Sequence, residues 1–459
     1  MQYPRPRRLN TAAATTAGGA VAAPAAATAA PDAASTEPAN PLYRLQLDQW
    51  WAQFKREGLA FWGICGYVIV EYVRPQTLIP GLDVIPVGIL VLLMALAGRV
   101  SEKNARWVSD PANVLMVLFN GVIILSCFTA QYPEVSWATV FGCYYWFFIY
   151  FLITNIVTNE SRLLIFIGFF LLASFKLSFS LALTWAKRGF AFTTWGLQGP
   201  AGFMQNSGEL SIQMLVYGPL ALFLALFLRP YISKLKFRVM LMMPITAAMV
   251  VIGASSRGAQ VAMAYQLYPT LLKGRISLRN ILLAVAAGFV VWSAIPDAQK
   301  ARFTAAGDDQ SSQQRLLYWK RGLEMVEQHP VLGVGYRNFP VYFKNHYPQD
   351  MLYGDAQLPH NIFIEVATDA GYLGLGCFLL LILRVVLGVR RVGKLMRDPR
   401  MRGLPYLAIA MGVSAALWGF LIAGQFVTVT YYPFFWINLA MLVCLLNITR
   451  KAAAERGVI

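Results

Sequence analysis

The chain has 459 residues, of which 57% are hydrophobic and 13% are charged, with a mean hydropathy of +0.52. The charged fraction is about half that of an ordinary soluble domain, which excludes that class and predicts a polytopic membrane protein. The formal net charge of +17 could suggest a nucleic-acid partner. The basic residues, however, lie in short runs between apolar segments. We therefore expect no nucleic acid as a partner and attribute these residues to membrane orientation.

Two segments precede the first apolar run. Residues 1–42 consist mainly of alanine, threonine and proline, and this low complexity predicts a disordered tail. Residues 43–58 combine leucine, tryptophan and phenylalanine with arginine and lysine. The mixture predicts an interfacial helix lying on the membrane, and a polar lead-in to the first span is the alternative interpretation.

Apolar runs long enough to cross a bilayer then recur along the chain. They predict an all-α fold of about twelve transmembrane helices, with nine in the N-terminal region 59–297 and three in the region 361–449. The runs cover residues 59–75, 84–99, 111–130, 137–157, 162–184, 208–228, 238–254, 258–273, 280–297, 361–389, 404–424 and 432–449. The eighth run is short and contains Pro269, but the order of charges in the loops after it requires a span here.

The basic residues alternate from loop to loop, which predicts the orientation of the chain. Every second loop holds lysine or arginine, most densely in "RVVLGVRRVGKLMRDPRMR", whereas the short loops at 131–136 and 425–431 hold none. The pattern places the N-terminus and the tail 450–459 in the cytoplasm. It places the long loop 298–360 outside the cytoplasm. Both the bilayer and this large outer loop are therefore expected parts of the functional setting.

The long loop has internal order. In "DDQSSQQRLLYWKRGLEMVEQ", apolar residues recur at helical spacing after a polar start, which predicts an amphipathic helix that ends at "HPVLGVG". Asp308 and Asp309 at its start are better explained by helix capping than by a divalent cation, because no second acidic cluster follows at matching spacing.

Three arginines and one histidine are predicted on the outer face, against the orientation rule. Arg74 ends the first span, Arg257 ends the seventh, Arg315 lies in the long loop, and His360 precedes the tenth span. Cations on this face need a reason other than topology. A histidine at the mouth of a membrane helix is well placed to meet both a membrane-borne substrate and one that arrives from outside.

The order of these residues resembles the signature of the O-antigen ligase and polymerase superfamily. The signature is an arginine with an aromatic residue four positions later (Arg315, Trp319), then "HPVLGVGYRNF", then "PHNIFIEVATDAGYLGLGCFLLL". It covers residues 315–380, and "SSRGA" around Arg257 is similar to a further element of the family. The N-terminal "FWGICGYVIVEYVRPQ" resembles glycan ligases associated with the exosortase system.

The resemblance implies a type C glycosyltransferase of the bacterial inner membrane, in particular an O-antigen ligase. Such an enzyme takes a glycan from undecaprenyl diphosphate and transfers it to a hydroxyl of lipid A–core. Arg74, Arg257 and Arg315 are then the expected ligands of the diphosphate, because the arginine fork binds phosphate oxygens in pairs and keeps its charge. No metal or other cofactor is expected. His360 is the expected general base, or a residue that orients the acceptor hydroxyl.

Four further residues are expected to support the catalytic pair His360 and Arg315. They are Asn361, Glu365, Trp319 and Asn206. Glu365 and Asp369 lie one turn apart within a predicted span and need polar partners, so we expect them to support the site or to pack against a neighbouring helix.

Other functions remain open from the sequence. A polymerase that joins lipid-linked repeat units, and a ligase that loads glycan onto protein, would use the same site chemistry with a different acceptor. A transporter of lipid-linked sugar would suit twelve helices, but it should show repeat symmetry and polar residues near the bilayer midplane. The polar residues of this chain gather at one outer face, which favours an enzyme.

Overall fold

The computed structural model describes residues 40–459 apart from 78, 80, 82–83, 103–106, 194, 273–292, 294–299, 301–306 and 308. Within this part of the chain the secondary structure is helical, without a strand. The α-helices are α1 Leu47–Arg56, α2 Leu59–Tyr72, α3 Val87–Ser101, α4 Pro111–Phe128, α5 Pro133–Thr139, α6 Phe141–Ile156, α7 Glu160–Lys187, α8 Ser207–Leu228, α9 Lys234–Gly253, α10 Arg257–Leu272, α11 Gln310–Gln328, α12 Phe339–His346, α13 Ile362–Leu395, α14 Tyr406–Ala423 and α15 Pro433–Glu455.

Eight helical segments among the described residues are long and apolar enough to cross a membrane. They are α4, the pair α5–α6, α7, α8, α9, α13, α14 and α15, and the shorter apolar helices α2 and α3 accompany them. The predicted fold class, an all-α polytopic membrane protein, is confirmed. The count of twelve spans is not confirmed. The predicted span 258–273 corresponds to α10, which is not among these eight, and the predicted span 280–297, apart from residue 293, lies outside the described residues. So do residues 1–39 of the predicted tail and the first part of the predicted loop 298–360.

The N-terminal segment is anchored to the helix bundle by polar contacts. Within the segment, the indole N–H of Trp50 in α1 donates to the carbonyl oxygen of Leu42 at 2.9 Å. Glu57 accepts from Nε of Arg162, the third residue of α7, at 2.6 Å. A helix is therefore present within the predicted segment 43–58, and its position at a membrane interface remains a prediction.

The directions of the helices assign the functional residues to ends of the bundle. Glu57, which pairs with Arg162, lies two residues before α2, whereas Arg74 follows the other end of α2. Arg74 shares a cavity with Arg337, and Arg337 pairs with Glu365 in the first turn of α13. The end that holds Glu57 and Arg162 is called the Arg162 end below, and the opposite end is called the His360 end.

Helix α13 is broken at Gly371, and the break receives the loop that follows α11. Gly371 has φ 63° and ψ −165°, which interrupts the helical hydrogen bonds. The freed carbonyl of Thr368 accepts from the N–H of Val334 at 2.8 Å, and the N–H of Tyr372 donates to the carbonyl of Pro330 at 2.8 Å. A side chain at Gly371 would collide with the Val331 carbonyl. The close approach of this loop to α13 positions the residues that follow it, including Arg337.

The predicted amphipathic helix of the long loop is confirmed as α11. Its N-cap is Asp309, whose carboxylate accepts from the backbone N–H of Ser312 at 3.3 Å. The capping role inferred for Asp309 is confirmed, and Asp308 lies outside the described residues. The short helix α12 was not predicted. Asn338 precedes it and donates to the Ser136 hydroxyl of α5 at 2.8 Å, which ties the loop to the bundle.

Candidate active site

His360 is held by its backbone at the entrance of α13. The residue after it, Asn361, caps the helix by accepting from two backbone N–H groups of the first turn at 2.9 and 3.2 Å. The N–H of His360 donates to the Thr428 hydroxyl at 2.8 Å. On its other side, the indole N–H of Trp319 donates to the carbonyl of Pro359 at 3.0 Å. Residues on three segments of the chain therefore fix the position of His360.

The contact between His360 and Gln357 assigns a tautomer to the imidazole. Nε2 of His360 lies 3.0 Å from Oε1 of Gln357, so we place the proton on Nε2, where it donates to this oxygen, and the lone pair on Nδ1. Burial, together with the positive charge of Arg315, lowers the pKa of His360 to about 4. Gln357 was not predicted from the sequence, and its position three residues before the histidine was the only signal.

Arg315 is a half-buried cation whose Nε lacks a hydrogen-bond partner within the described part of the chain. Burial and the neighbouring charge of Arg257 lower its pKa. A guanidinium in this position has a buried donor and a second positive charge beside it. The arrangement favours an anionic ligand, because an acceptor with negative charge would satisfy the buried N–H and offset the repulsion between the two arginines.

Arg257 lies at the start of α10 and contacts the N-terminus of α11. Its Nη2 donates to the carboxylate of Asp309 at 3.1 Å and to the Ser312 hydroxyl at 3.3 Å. Burial opposes the negative charge of Asp309, but hydrogen bonds from Ser312 and Arg257 outweigh it and lower the pKa of Asp309. The structure brings Arg257, Arg315 and His360 together, and we call these three residues the basic rim.

Arg74 belongs to a second group of residues, which lines a cavity of about 690 Å³ at the His360 end. The cavity also contains Arg337, which no sequence argument singled out, although it lies within the quoted motif "HPVLGVGYRNF". Most other lining side chains are aromatic. They are Phe141, Tyr145, Trp146, Phe203, Tyr336, Tyr431 and Tyr432.

Arg337 is fixed in the cavity wall by two acidic residues of α13. Its Nη1 lies 3.5 Å from Oε1 of Glu365, and its backbone N–H donates to the carboxylate of Asp369 at 3.0 Å. The guanidinium also lies over the Tyr431 ring, 5.3 Å from the centroid. Glu365 and Asp369 thus each have polar partners, but Oε1 of Glu365 and Oδ2 of Asp369 accept no hydrogen bond within the described part of the chain. Their contribution to the chemistry remains a prediction.

Asn206 occupies a helix cap and reaches the cavity only through neighbours. It is the N-cap of α8 in a capping box with Glu209, whose carboxylate accepts from the Asn206 N–H at 3.3 Å. The carboxylate of Glu209 also lies near the side chain of the cavity residue Tyr432. A direct contact between Asn206 and substrate remains a prediction.

The loop between α14 and α15, residues 424–432, joins the basic rim to the cavity. Beyond the contact of Thr428 with His360, Phe426 packs against Trp319 at a ring distance of 6.2 Å. The backbone N–H of Thr430 donates to Glu365 at 3.2 Å. Sequence reasoning treated this segment only as a short outer loop without basic residues, because its partners are distant in the chain.

Backbone strain concentrates around these two groups. Arg74, Ser255, Arg337 and His360 have positive φ values of 55°, 57°, 61° and 52°. Non-glycine residues adopt this region at an energetic cost, and such residues cluster at functional sites. The strain is offset by the helix caps, hydrogen bonds and ion pairs described above.

The site offers cationic donors, a neutral imidazole and aromatic surfaces. Among the described residues, no group of three or more histidine, cysteine, aspartate or glutamate side chains is arranged to hold a metal ion. The arginines of the basic rim and of the cavity can bind phosphate oxygens in pairs. His360 can accept a proton at Nδ1.

The helices and this arrangement define a polytopic membrane protein with an arginine-rich, histidine-containing site at one end of its bundle. Residues 241–379 match the protein-family model described as O-antigen ligase. The resemblance to the O-antigen ligase family is therefore confirmed for this segment, which supports a membrane enzyme of ligase or polymerase type. The segment contains Arg257, Arg315, Arg337 and His360.

A comparison of the chain with curated proteins finds no match. The family match does not extend to the N-terminal region. The resemblance of "FWGICGYVIVEYVRPQ" to exosortase-associated glycan ligases therefore remains a prediction, and so does the role of Arg74.

Proposed function

We propose that the protein transfers a glycan from undecaprenyl diphosphate to a hydroxyl of lipid A–core, at the periplasmic face of the bacterial inner membrane and without a metal. The observation that carries this proposal is the buried Nε of Arg315, which lacks a hydrogen-bond partner among the described residues. The positive charge of Arg257 is close enough to Arg315 to lower the pKa of Arg315. Phosphate oxygens of a lipid diphosphate would satisfy this group of donors.

The transfer forms one bond and breaks one bond. The acceptor oxygen attacks the anomeric carbon of the glycan while the bond from that carbon to the diphosphate oxygen breaks. The proton of the acceptor hydroxyl moves to Nδ1 of His360, and the electron pair of the broken bond leaves with undecaprenyl diphosphate. Arg257 and Arg315 stabilise the negative charge that develops on the leaving group.

The pKa of His360 suits this role once the donor is bound. At about 4 it keeps the imidazole neutral, but it also makes the imidazole a weak base. A bound diphosphate opposes the positive charge of Arg315 and raises the pKa of His360 towards its ordinary value. Proton transfer is therefore favoured in the substrate complex.

We extend the donor site into the cavity that Arg74 and Arg337 line. Both arginines offer further phosphate-binding groups, and the surrounding rings offer flat apolar surfaces to a substrate. Glu365 holds Arg337 in place, so that its guanidinium is ordered before the substrate arrives. The loop 424–432 contacts both the basic rim and the cavity wall, and it would therefore hold these two parts of the site in a fixed relative position.

The test is glycan transfer with purified components. The full chain in liposomes receives an undecaprenyl-diphosphate glycan and lipid A–core, with and without a chelator. His360→Ala and Arg315→Gln are compared with Lys320→Gln, which removes an exposed cation from the same helix as Arg315. We expect transfer that resists the chelator, is lost in the first two variants and is retained in the control.

The outcomes separate the alternatives. The donor could be consumed only when a second lipid-linked glycan or a protein is supplied. That result would identify the supplied molecule, and not lipid A–core, as the acceptor. Movement of donor across the bilayer without transfer would contradict the enzymatic proposal, and inactivity after chelation would contradict metal independence.

A further inference from the structure

A second cavity, of about 700 Å³, lies at the Arg162 end, away from the candidate active site. It is enclosed by the N-terminal segment 42–50 and by helices α7, α8 and α9. Its walls are mostly aliphatic, with Leu171, Leu224 and Met243 among them, and Tyr43 and Trp50 add aromatic rings. Its volume is within the range of about 300–1,000 Å³ that is typical of ligand sites.

The cavity opens sideways, through apolar side chains that the protein leaves uncovered. Leu47, Leu172, Leu235 and Val239 line it, and their exposed fractions are 84%, 58%, 70% and 45%. The last three belong to helices α7 and α9, both of which are long and apolar enough to cross a membrane. Exposed apolar residues of spanning helices face lipid, so this opening communicates with the hydrocarbon of one leaflet.

The mouth of the cavity carries an excess of positive charge. Lys236 lines the cavity, Arg44 is exposed within the segment 42–50 that encloses it, and Asp48 is the acidic residue that lines it. Lys236 fixes the entrance, because its Nζ donates to the carbonyls of Arg44 and Leu45 at 3.0 and 2.9 Å. Clustered lysine and arginine residues at a membrane surface attract anionic headgroups.

We infer that this cavity binds an anionic phospholipid, with an acyl chain in the aliphatic interior and its phosphate at Arg44 and Lys236. Such a lipid would lie in the leaflet at the Arg162 end and would hold the N-terminal segment against α7 and α9. The aliphatic lining and the charge at the mouth each match one part of this molecule. The inference is independent of the proposed glycan transfer, and its test does not measure transfer.

Photo-crosslinking tests the site in the full-length protein. The protein is reconstituted in nanodiscs that contain a trace of phosphatidylglycerol with a diazirine in its acyl chain, and the adducts are mapped by mass spectrometry. A matched phosphatidylcholine probe reports the contribution of the headgroup. We expect the phosphatidylglycerol adducts on peptides of α7 and α9 that line the cavity, and at least about fivefold less adduct there with phosphatidylcholine.

Two variants and one control make the assignment specific. Val239→Trp narrows the cavity and should remove these adducts, and Arg44→Gln should weaken the phosphatidylglycerol preference by about fivefold. Leu379→Trp changes a half-exposed apolar residue of α13 and should leave the adducts unchanged. Adducts that are spread evenly over the lipid-facing surface, or that persist in Val239→Trp, would overturn the inference. Equal labelling by the two lipids would overturn the role of the headgroup.

Discussion

The indole N–H of Trp319 donates to the carbonyl oxygen of Pro359 at 3.0 Å, which fixes the residue that precedes His360. Trp319→Phe keeps an aromatic ring beside Phe426 but removes this hydrogen bond. We expect the rate of glycan transfer to fall about threefold to tenfold, because a net hydrogen bond contributes about 0.5–1.5 kcal/mol. The measurement is kcat with saturating donor, and Trp418→Phe in α14 is the control. An unchanged kcat would show that this hydrogen bond does not position His360.

His360 should control the acidic limb of the pH profile. Because its pKa in the free protein is about 4, lowering the pH through this value protonates Nδ1 and removes the base. We expect kcat/KM to be flat at neutral pH and to fall near pH 4, and kcat to fall at a higher pH because the bound diphosphate raises the pKa of His360. The two profiles are measured with donor at limiting and at saturating concentrations.

His360→Ala should lower kcat by about 10²–10⁴ and remove the acidic limb. His346→Ala is the control, because this histidine stacks on Tyr342, 3.9 Å away between ring centroids, outside the candidate site. Full activity of His360→Ala across the pH range would exclude the residue as a base.

Glycan transfer should require the guanidinium group of Arg315 and not only a positive charge at this position. In Arg315→Lys the compact ammonium cannot reproduce the paired donors of the fork, so we expect kcat/KM to fall about 100-fold or more. Binding of undecaprenyl diphosphate, followed by isothermal calorimetry, should weaken in parallel. If Arg315→Lys binds undecaprenyl diphosphate as tightly as the wild type does, a positive charge alone is sufficient at this position. The argument from the paired donors of arginine then fails.

Removing the carboxylate of Glu365 should destabilise the protein. Glu365→Gln leaves Arg337 without its charged partner, and the loss of one member of a buried ion pair costs about 3 kcal/mol or more. The double variant Glu365→Gln with Arg337→Gln should recover part of this loss. Unfolding of the detergent-solubilised protein is the measurement, and Glu134→Gln, an exposed change at the same end, is the control. If the wild type and Glu365→Gln were equally stable, the ion pair between Glu365 and Arg337 would not contribute to stability.

Two glycines of α13 give a matched test of the break in this helix. Gly371→Ala places a side chain against the Val331 carbonyl at a positive φ, and we expect a loss of at least about 2 kcal/mol. Gly376 is helical with open space around it, so Gly376→Ala should stabilise the protein by about 0.5–1 kcal/mol. Thermal unfolding compares the two, and equal effects would contradict the role assigned to the break.

Local signals in the sequence were sufficient for the helices and for part of the site. The apolar runs predicted the spanning segments, because a helix in a bilayer must satisfy its backbone hydrogen bonds internally and expose apolar side chains. The spacing in the long loop predicted α11, and the segment 315–380 led to the O-antigen ligase family. Contacts between distant segments could not be predicted in this way. Arg337 was missed for this reason, since its partner Glu365 is 28 positions away.

The sequence by itself determined the class of protein, the family of its central segment and the candidate residues His360, Arg257 and Arg315. These conclusions depend on composition, period and order along the chain, which are local properties. Only the tertiary structure placed Arg74 beside Arg337, gave His360 its partner Gln357 and its low pKa, and connected both groups through the loop 424–432. Burial and electrostatic coupling depend on distances between side chains, and the packing of the helices decides those distances.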